Sequence, residues 1–255
     1  MKKIFILICG VVIATQCSLV SAQTTQMKMW KDGKVTITYT DVDSVSFETS
    51  AEDEKQDLGG GVYLINGHKF VDLGLPSGLL WAETNVGAET AAGDGNYYAW
   101  GETTPKTEYN EGSYFDSDYA NYPTSGKTTL EKKHDAAYVN WGSSCRMPTN
   151  DEFGELLDSN NCTWEWVSMA TTDGSSINGY KVTSTKNGNS IFLPPSGVRG
   201  NGDLDGHGSC GYYWSSTHYP YNSYDAYFLY FNSSYHGQKS HRRYYGYTVR
   251  PVAEP

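Results

Sequence analysis

The sequence is poor in basic residues and in charge altogether. Nineteen Lys and Arg stand against twenty-nine Asp and Glu, for a net charge of −10. Such a chain lacks the basic face that drives counterion release from nucleic acid, and it is a poor match for an anionic membrane surface. Beyond residue 22 there is no apolar run near the ~18 residues of a membrane-spanning helix. Cysteine is scarce at five residues, and two of these, Cys9 and Cys17, fall in the first 22. Disorder is excluded by what is abundant: 21 Tyr, 7 Trp and 8 Phe, where disordered chains are poor in aromatics.

The amino terminus reads as a secretory address. Lys2 and Lys3 precede the apolar stretch Ile4 to Ala14, and Val20-Ser21-Ala22 supplies a small-residue cleavage site. Cleavage there takes both lysines and moves the net charge from −10 to −12. Cys17 offers a competing lipidation signal, but Gln16, not a small residue, precedes it. Either reading exports the protein to the cell surface or the medium. The remaining Cys145, Cys162 and Cys210 allow one disulfide and one leftover thiol, or three buried thiols.

Residues 23–48 read as a small β unit, with Lys34–Tyr39 alternating and Val42, Val45 and Phe47 as a second apolar set. Residues 49–61, TSAEDEKQDLGGG, have linker composition. The main domain is expected over 62–255. Val62–Ile65 and His68–Leu73 flank Asn66-Gly67, a hairpin signature, and Leu79–Ala82 reads as a third strand. Residues 87–128 show no period and predict long ordered loops. Thr128-x-x-Glu131 and Thr149-x-x-Glu152 have capping-box spacing, which predicts helices over 130–141 and 150–158, the second burying Phe153, Leu156 and Leu157. A second hairpin is expected at 179–193 around Asn187-Gly188. Strands are expected over 212–216, 226–231 and 246–252. Few helices and many short strands give an α+β class.

The segment from Gly211 to Tyr247 is unusual. Of its 37 residues, 22 are Tyr, Ser, His or Asn, and Leu229 is its one aliphatic residue beyond Ala. Tyr offers large contact area at low entropic cost, and Ser and Asn offer adaptable hydrogen bonds, which is the chemistry of a binding surface. A Tyr-rich sheet merely facing water is the competing reading. Period two assigns Leu229 and Phe231 to the core, and Tyr230 with Phe228 to the outer face. Loops over 217–225 and 232–241 carry the remaining candidate ligand contacts: His218, Tyr219, Tyr221, Asn222, Tyr224, Asn232, Tyr235, His236, Lys239 and His241. The expected partner is an extracellular protein or glycan.

Several motifs carry a family resemblance: Val71-Asp72-Leu73-Gly74-Leu75-Pro76-Ser77-Gly78-Leu79-Leu80-Trp81-Ala82, Asn85-Val86-Gly87-Ala88, Tyr98-Ala99-Trp100-Gly101-Glu102-Thr103, Asp135 to Gly142, Arg146-Met147-Pro148-Thr149 and Tyr213-Trp214-Ser215-Ser216. Over about 62–252 the chain resembles the Fibrobacter-type major paralogous domain (FISUMP) family of exported proteins in Gram-negative bacteria. The resemblance implies a C-type-lectin-like fold, related to that of the formylglycine-generating enzymes. The frame from Trp214-Ser215-Ser216 to Gly246–Val252 also resembles the variable region of diversity-generating-retroelement proteins, in which Asn, Tyr, Ser, His and Asp positions are rewritten on a lectin-like scaffold.

Catalysis finds no constellation. The enzymes sharing the implied fold use paired cysteines near the C-terminus, and this chain has Cys210 alone there; His207 or His218 beside it has no supporting motif. Asp203 and Asp205 between glycines suit Ca²⁺ by ligand type, but the EF-hand spacing is absent and a solvated turn explains them as well; Gly93-Asp94-Gly95-Asn96 is a weaker case. The sugar-binding triplets of Ca²⁺-dependent lectins are absent. The histidines show no metal spacing, and His241-Arg242-Arg243 is a short basic spot. The expectation is therefore a non-catalytic binder without a cofactor. The alternatives are a structural surface or adhesin subunit and an unrecognised enzyme.

Overall fold

The computed structural model describes residues 55–115 and 127–255 in full and, ahead of them, the backbone of four strands. The chain divides into two units, Met1–Ala51 and Glu52–Pro255. In the first, β1 (Ile4–Ile8) pairs antiparallel with β2 (Val11–Thr15), and β3 (Gln26–Lys31) with β4 (Lys34–Thr40). The cleavage segment, Cys17, and the second apolar set Val42, Val45 and Phe47 lie outside the described residues.

The second unit opens earlier than its composition suggests. Lys55–Gly59, expected within the linker, forms β5 and pairs with β6 (Val62–Ile65). The reversal between them runs through Gly59, Gly60 and Gly61 at φ 82°, 65° and 78°, a left-handed series that glycine alone adopts without strain. An exposed edge strand needs no apolar face, so β5 is hidden from a hydrophobicity reading. Asn66 and Gly67, at φ 50° and 80°, turn β6 into β7 (His68–Asp72), as their type I′ preference predicts. β8 (Leu80–Ala82) follows.

Residues 83–115 hold no strand or helix beyond a single 3₁₀ turn at Glu111–Ser113. They are ordered by buried phenols instead: Tyr109 donates to the Tyr97 carbonyl at 2.5 Å and Tyr114 to the Trp100 carbonyl at 2.6 Å. The helix expected over 130–141 is shorter. A 3₁₀ turn at Lys132–His134 precedes α1 (Ala136–Trp141). Glu131 does not close a capping box; its carboxylate pairs with Lys127 and Lys133. Asp135 caps the helix, accepting from the Tyr138 N–H at 3.0 Å and the Met147 N–H at 2.8 Å.

After β9 (Cys145–Arg146), α2 (Asn150–Leu157) has the predicted reciprocal box between Thr149 and Glu152. Glu152 also takes a bidentate pair from Arg146 at 2.8 and 2.7 Å. Phe153 and Leu156 are buried and Leu157 is half-buried. Then come β10 (Cys162–Ala170), β11 (Ser176–Ser184), β12 (Ser190–Leu193), β13 (Val198–Gly200), β14 (Asp203–Asp205), β15 (Cys210–His218), β16 (Asp225–Asn232), β17 (Tyr235–Arg242) and β18 (Val252–Ala253). The second unit holds a six-stranded sheet β5-β6-β7-β8-β18-β9, the three-stranded sheets β10-β11-β12 and β15-β16-β17, and the β13–β14 pair. With two short helices among antiparallel strands, the α+β class holds.

The stretch 246–252, expected as one strand, is shared out. It makes single bridges from Gly246 to Arg199, Tyr247 to Tyr98 and Thr248 to Tyr213 before joining β18. Two cores lie against opposite faces of β16. One holds Trp100, Trp214, Phe228 and Tyr247; the other holds Trp81, Phe153, Leu229 and Phe231. Phe228, expected on the outer face, is therefore buried, because each face of this strand meets a core. Trp214, Leu229, Phe231 and Val249 are fully buried, as their frame role requires. The motifs at Trp81-Ala82, Asn85 and Arg250 meet in one network. The buried Arg250 guanidinium donates to Asn85 Oδ1 at 2.8 Å and to the carbonyls of Ala82 and Glu83 at 3.0 and 2.8 Å.

Candidate ligand-binding face of the C-terminal sheet

The site is built on β15, β16 and β17. Tyr212 pairs with Tyr230, and Cys210 with Asn232, on one side of β16; Tyr235, Gly237, Lys239 and His241 pair with Asn232, Tyr230, Phe228 and Ala226 on the other. Alternation puts Tyr212, Tyr230, Asn232, Tyr235, Lys239 and His241 on one face and Tyr213, Leu229, Phe231, His236 and Gln238 on the reverse. The loop expected over 232–241 is thus a strand. YHGQKSHR carries no apolar alternation, and a strand paired on one side needs none. Asn232 forms the turn into it, accepting from the Ser234 N–H at 3.0 Å, and is itself half-buried.

On the first face the rings form a row. Tyr212 and Tyr230 are 5.1 Å apart between centroids, and Tyr230 and Tyr235 are 6.0 Å apart. Lys239 Nζ sits 3.7 Å over the Tyr230 ring and 5.2 Å from that of Tyr235. Gly237 makes room for this: a Cβ there would lie 2.5 Å from the Tyr235 hydroxyl. Burial pushes the Tyr212 phenol up to about 12. His241 stacks on Tyr245 at 4.5 Å, and its Nδ1 lies 2.8 Å from the Tyr247 hydroxyl. Burial holds the His241 pKa below the usual histidine range, against the opposing pull of Asp225.

His236 does not join this face. It lies on the reverse, stacked on Trp164 at 4.6 Å with the ring planes 4° apart, and burial lowers its pKa. The alternation that carries Tyr235 outward carries its neighbour inward.

The second group of candidates sits in the 217–225 loop. This loop is bracketed from within: Asn222 Nδ2 donates to Asp225 Oδ2 at 2.9 Å, and Asn222 Oδ1 accepts from the Tyr224 N–H at 3.1 Å. Asn222 is thus spent on shaping the loop. The His218 N–H donates to the Thr128 carbonyl at 3.0 Å, tying the loop's root. Tyr221 is 84% exposed, Tyr224 43% and Tyr235 46%. Tyr219 lies half-buried between Tyr221 at 5.5 Å and Tyr227 at 5.1 Å, and the Arg242 guanidinium covers the Tyr224 ring at 5.1 Å.

The Tyr-rich segment therefore divides. Tyr213 and Tyr247 are core residues at 0% exposure, whereas Tyr212, Tyr227, Tyr244 and Tyr245 are half-buried neighbours of the candidates that composition did not single out. Register opposite Tyr230 is the signal that finds Tyr212. Asp203 and Asp205 lie exposed on β14, opposite Gly200 and Val198. Among the described residues no group of three or more His, Cys, Asp or Glu converges as a metal site. Asp94 pairs with His207 at 2.7 Å. No disulfide joins Cys145, Cys162 and Cys210 to one another, so that option among them is not realised; burial pushes Cys162 up to about 11. No helix among the described residues is long and apolar enough to cross a membrane. No known protein family, curated protein or solved structure matches the chain.

Proposed function

We propose that the chain is an exported, non-catalytic binding protein that recognises an extracellular protein or glycan through the exposed Tyr-rich surface of β15–β17 and the 217–225 loop. The observation that carries this reading is the exposure of Tyr221 and Tyr224 in the 217–225 loop and of Tyr235 at the start of β17, beside strands whose Tyr213, Trp214, Phe228, Leu229 and Phe231 are locked into two cores. Large phenol rings held largely in water on a rigid support contribute little to folding where they stand, and they provide contact area at low entropic cost. The resemblance to the FISUMP family, to a C-type-lectin-like scaffold and to retroelement-diversified variable regions agrees with this reading. In it the half-buried Tyr230 and the exposed Lys239 above its ring supply a fixed floor, and the loop tyrosines supply contacts that differ between ligands.

The cysteine chemistry speaks in the same direction. Cys145 and Cys162 are buried, and Cys210 stands beside Tyr230, its Sγ 3.6 Å from the phenol oxygen, with no disulfide partner among the described residues. The test is an array of surface proteins and glycans probed with the purified chain and with its Tyr221→Ala/Tyr224→Ala variant. Binding by the first and loss in the second is expected. Equal binding by both would move the contact surface elsewhere.

A further inference from the structure

The two outer strands of the β15-β16-β17 sheet are treated differently. β15 is covered on its outer side: the Trp214 N–H donates to the Thr248 carbonyl at 3.1 Å, and the Thr248 N–H to the Tyr212 carbonyl at 3.2 Å. β17 has no such cover. It pairs with β16 from Asp225–Arg242 to Asn232–Tyr235 without a register shift, and the Arg243 N–H continues that register to the Tyr224 carbonyl at 3.0 Å. Hydrogen-bonded and non-bonded pairs alternate along an antiparallel ladder. The amides of Tyr235, Gly237, Lys239 and His241 therefore face β16, and those of His236, Gln238 and Ser240, with their carbonyls, face away from it. Among the described residues these outward backbone groups have no hydrogen-bond partner.

Exposed edges are commonly spoiled for pairing by a bulge, a proline or a charge. β5, an end strand of the six-stranded sheet, is spoiled in this way: its register shifts between Asp57 and Gly59, and Asp57 turns its carboxylate back to the Gly59 N–H at 2.8 Å. β17 has neither bulge nor proline. Its one guard is Lys239, whose Nζ is drawn back 3.7 Å over the Tyr230 ring of β16, away from the outer edge. On the reverse side Gln238 donates its side-chain amide to the Asn150 carbonyl, so α2 holds the strand in place.

Charge selects the occupant. β17 contains no Asp or Glu. Arg242 is paired with Asp225 at 3.3 Å, but Lys239 has no carboxylate partner among the described residues. A second copy of the chain would lay two such basic strands side by side, an unfavourable cross-strand arrangement. A strand carrying Asp or Glu would answer Lys239 instead, since facing Cβ atoms stand ~5 Å apart and the lysine stem spans that gap by rotation. Tyr235, exposed at the start of the strand, offers a ring to an apolar side chain of the same newcomer. Resting on the reading of this region as a protein-binding surface, we propose that the outer edge of β17 takes an extended acidic segment of a partner protein as a fourth strand. The backbone of His236, Gln238 and Ser240 supplies the ladder, and Lys239 selects the charge.

The experiment selects a phage library of random linear peptides on the whole chain, then titrates the enriched peptides as synthetic probes. Peptides with Asp or Glu among β-branched residues should emerge, and their binding should slow amide hydrogen exchange at Gln238 and Ser240 and weaken with added salt. Ser240→Pro removes an outward N–H at a place where an edge strand tolerates proline. It should weaken the peptides about tenfold, the worth of about one hydrogen bond, at a nearly unchanged melting temperature. Lys239→Met should abolish the preference for an acidic peptide over its Asn/Gln counterpart. A library that yields no peptide, peptides that leave exchange at Gln238 and Ser240 unaltered, or equal binding by a folded Ser240→Pro overturns the proposal; if that variant does not fold, the exchange measurement decides. Slow exchange at both amides in the free chain overturns it as well, because the edge is then already filled, by a second copy if the chain sediments as a dimer. Array ligands lost in Tyr221→Ala/Tyr224→Ala, with no peptide on the edge, overturn this proposal and leave the binding face standing. A chain that takes neither array ligand nor peptide overturns both.

Discussion

Truncating Leu229 and truncating the Tyr221–Tyr224 pair should have opposite consequences. Leu229 is fully buried against Trp81, Phe153 and Phe231. Leu229→Ala should cost about 2–5 kcal/mol, the lost transfer energy plus the cavity left in a packed core. For a unit of this size each kcal/mol lowers the melting temperature by about 2–4 °C, so a drop of at least about 4 °C is expected in a calorimetric scan. Tyr221 at 84% exposure has little burial to lose. Tyr224 gives up its contact with Arg242, worth about 0.5–1 kcal/mol at an exposed site. The double variant Tyr221→Ala/Tyr224→Ala should therefore lose no more than about 1 kcal/mol while its array binding collapses. A loss of stability from the tyrosine pair equal to that of Leu229→Ala would refute the division between frame and surface.

The remaining predictions concern the frame. Asp135 is buried, and desolvation outweighs its backbone hydrogen bonds and raises its pKa from 3.8 to about 6. The folded chain then holds this proton more tightly than the unfolded one, so the stability it contributes is full below about pH 4 and is lost as pH rises through about 6. Denaturant titrations at pH 4 and pH 7 should show the wild type losing on the order of 3 kcal/mol more than Asp135→Asn over that interval; parallel behaviour would contradict the assignment. Asn85→Ala strips the acceptor from Arg250 Nε, whose guanidinium burial already lowers to about 10; a cost of at least about 1–3 kcal/mol is expected in urea unfolding. Thr149→Ala removes one half of the α2 capping box and should cost about 1 kcal/mol by the same measurement.

Local signals with short-range mechanisms were legible in the chain. Asn66-Gly67 specifies its turn because both positions need positive φ, and Thr149/Glu152 specifies a helix start because each side chain meets the other's backbone. The same spacing at Thr128/Glu131 misleads, because Lys127 and Lys133 compete for the carboxylate and Asp135 offers a stronger cap. β17 and β5 escape a pattern-based reading because their stability comes from pairing with a neighbour rather than from an apolar stripe. For the same reason the candidate contacts emerge as two groups. Tyr230, Asn232, Tyr235, Lys239 and His241 share a face, His236 is turned to the reverse by its place in the alternation, and Asn222 works inside its own loop. Composition singled out the segment; which of its tyrosines are exposed depends on the register between strands.

The bracket that Asn222 and Asp225 form around the exposed tip has an energetic consequence for association. A tip already held in shape brings little backbone freedom to surrender when a ligand arrives. Complexes made there should show small unfavourable ordering entropies in calorimetry, and their lifetimes should follow the fit of the rings rather than any slow rearrangement of the chain.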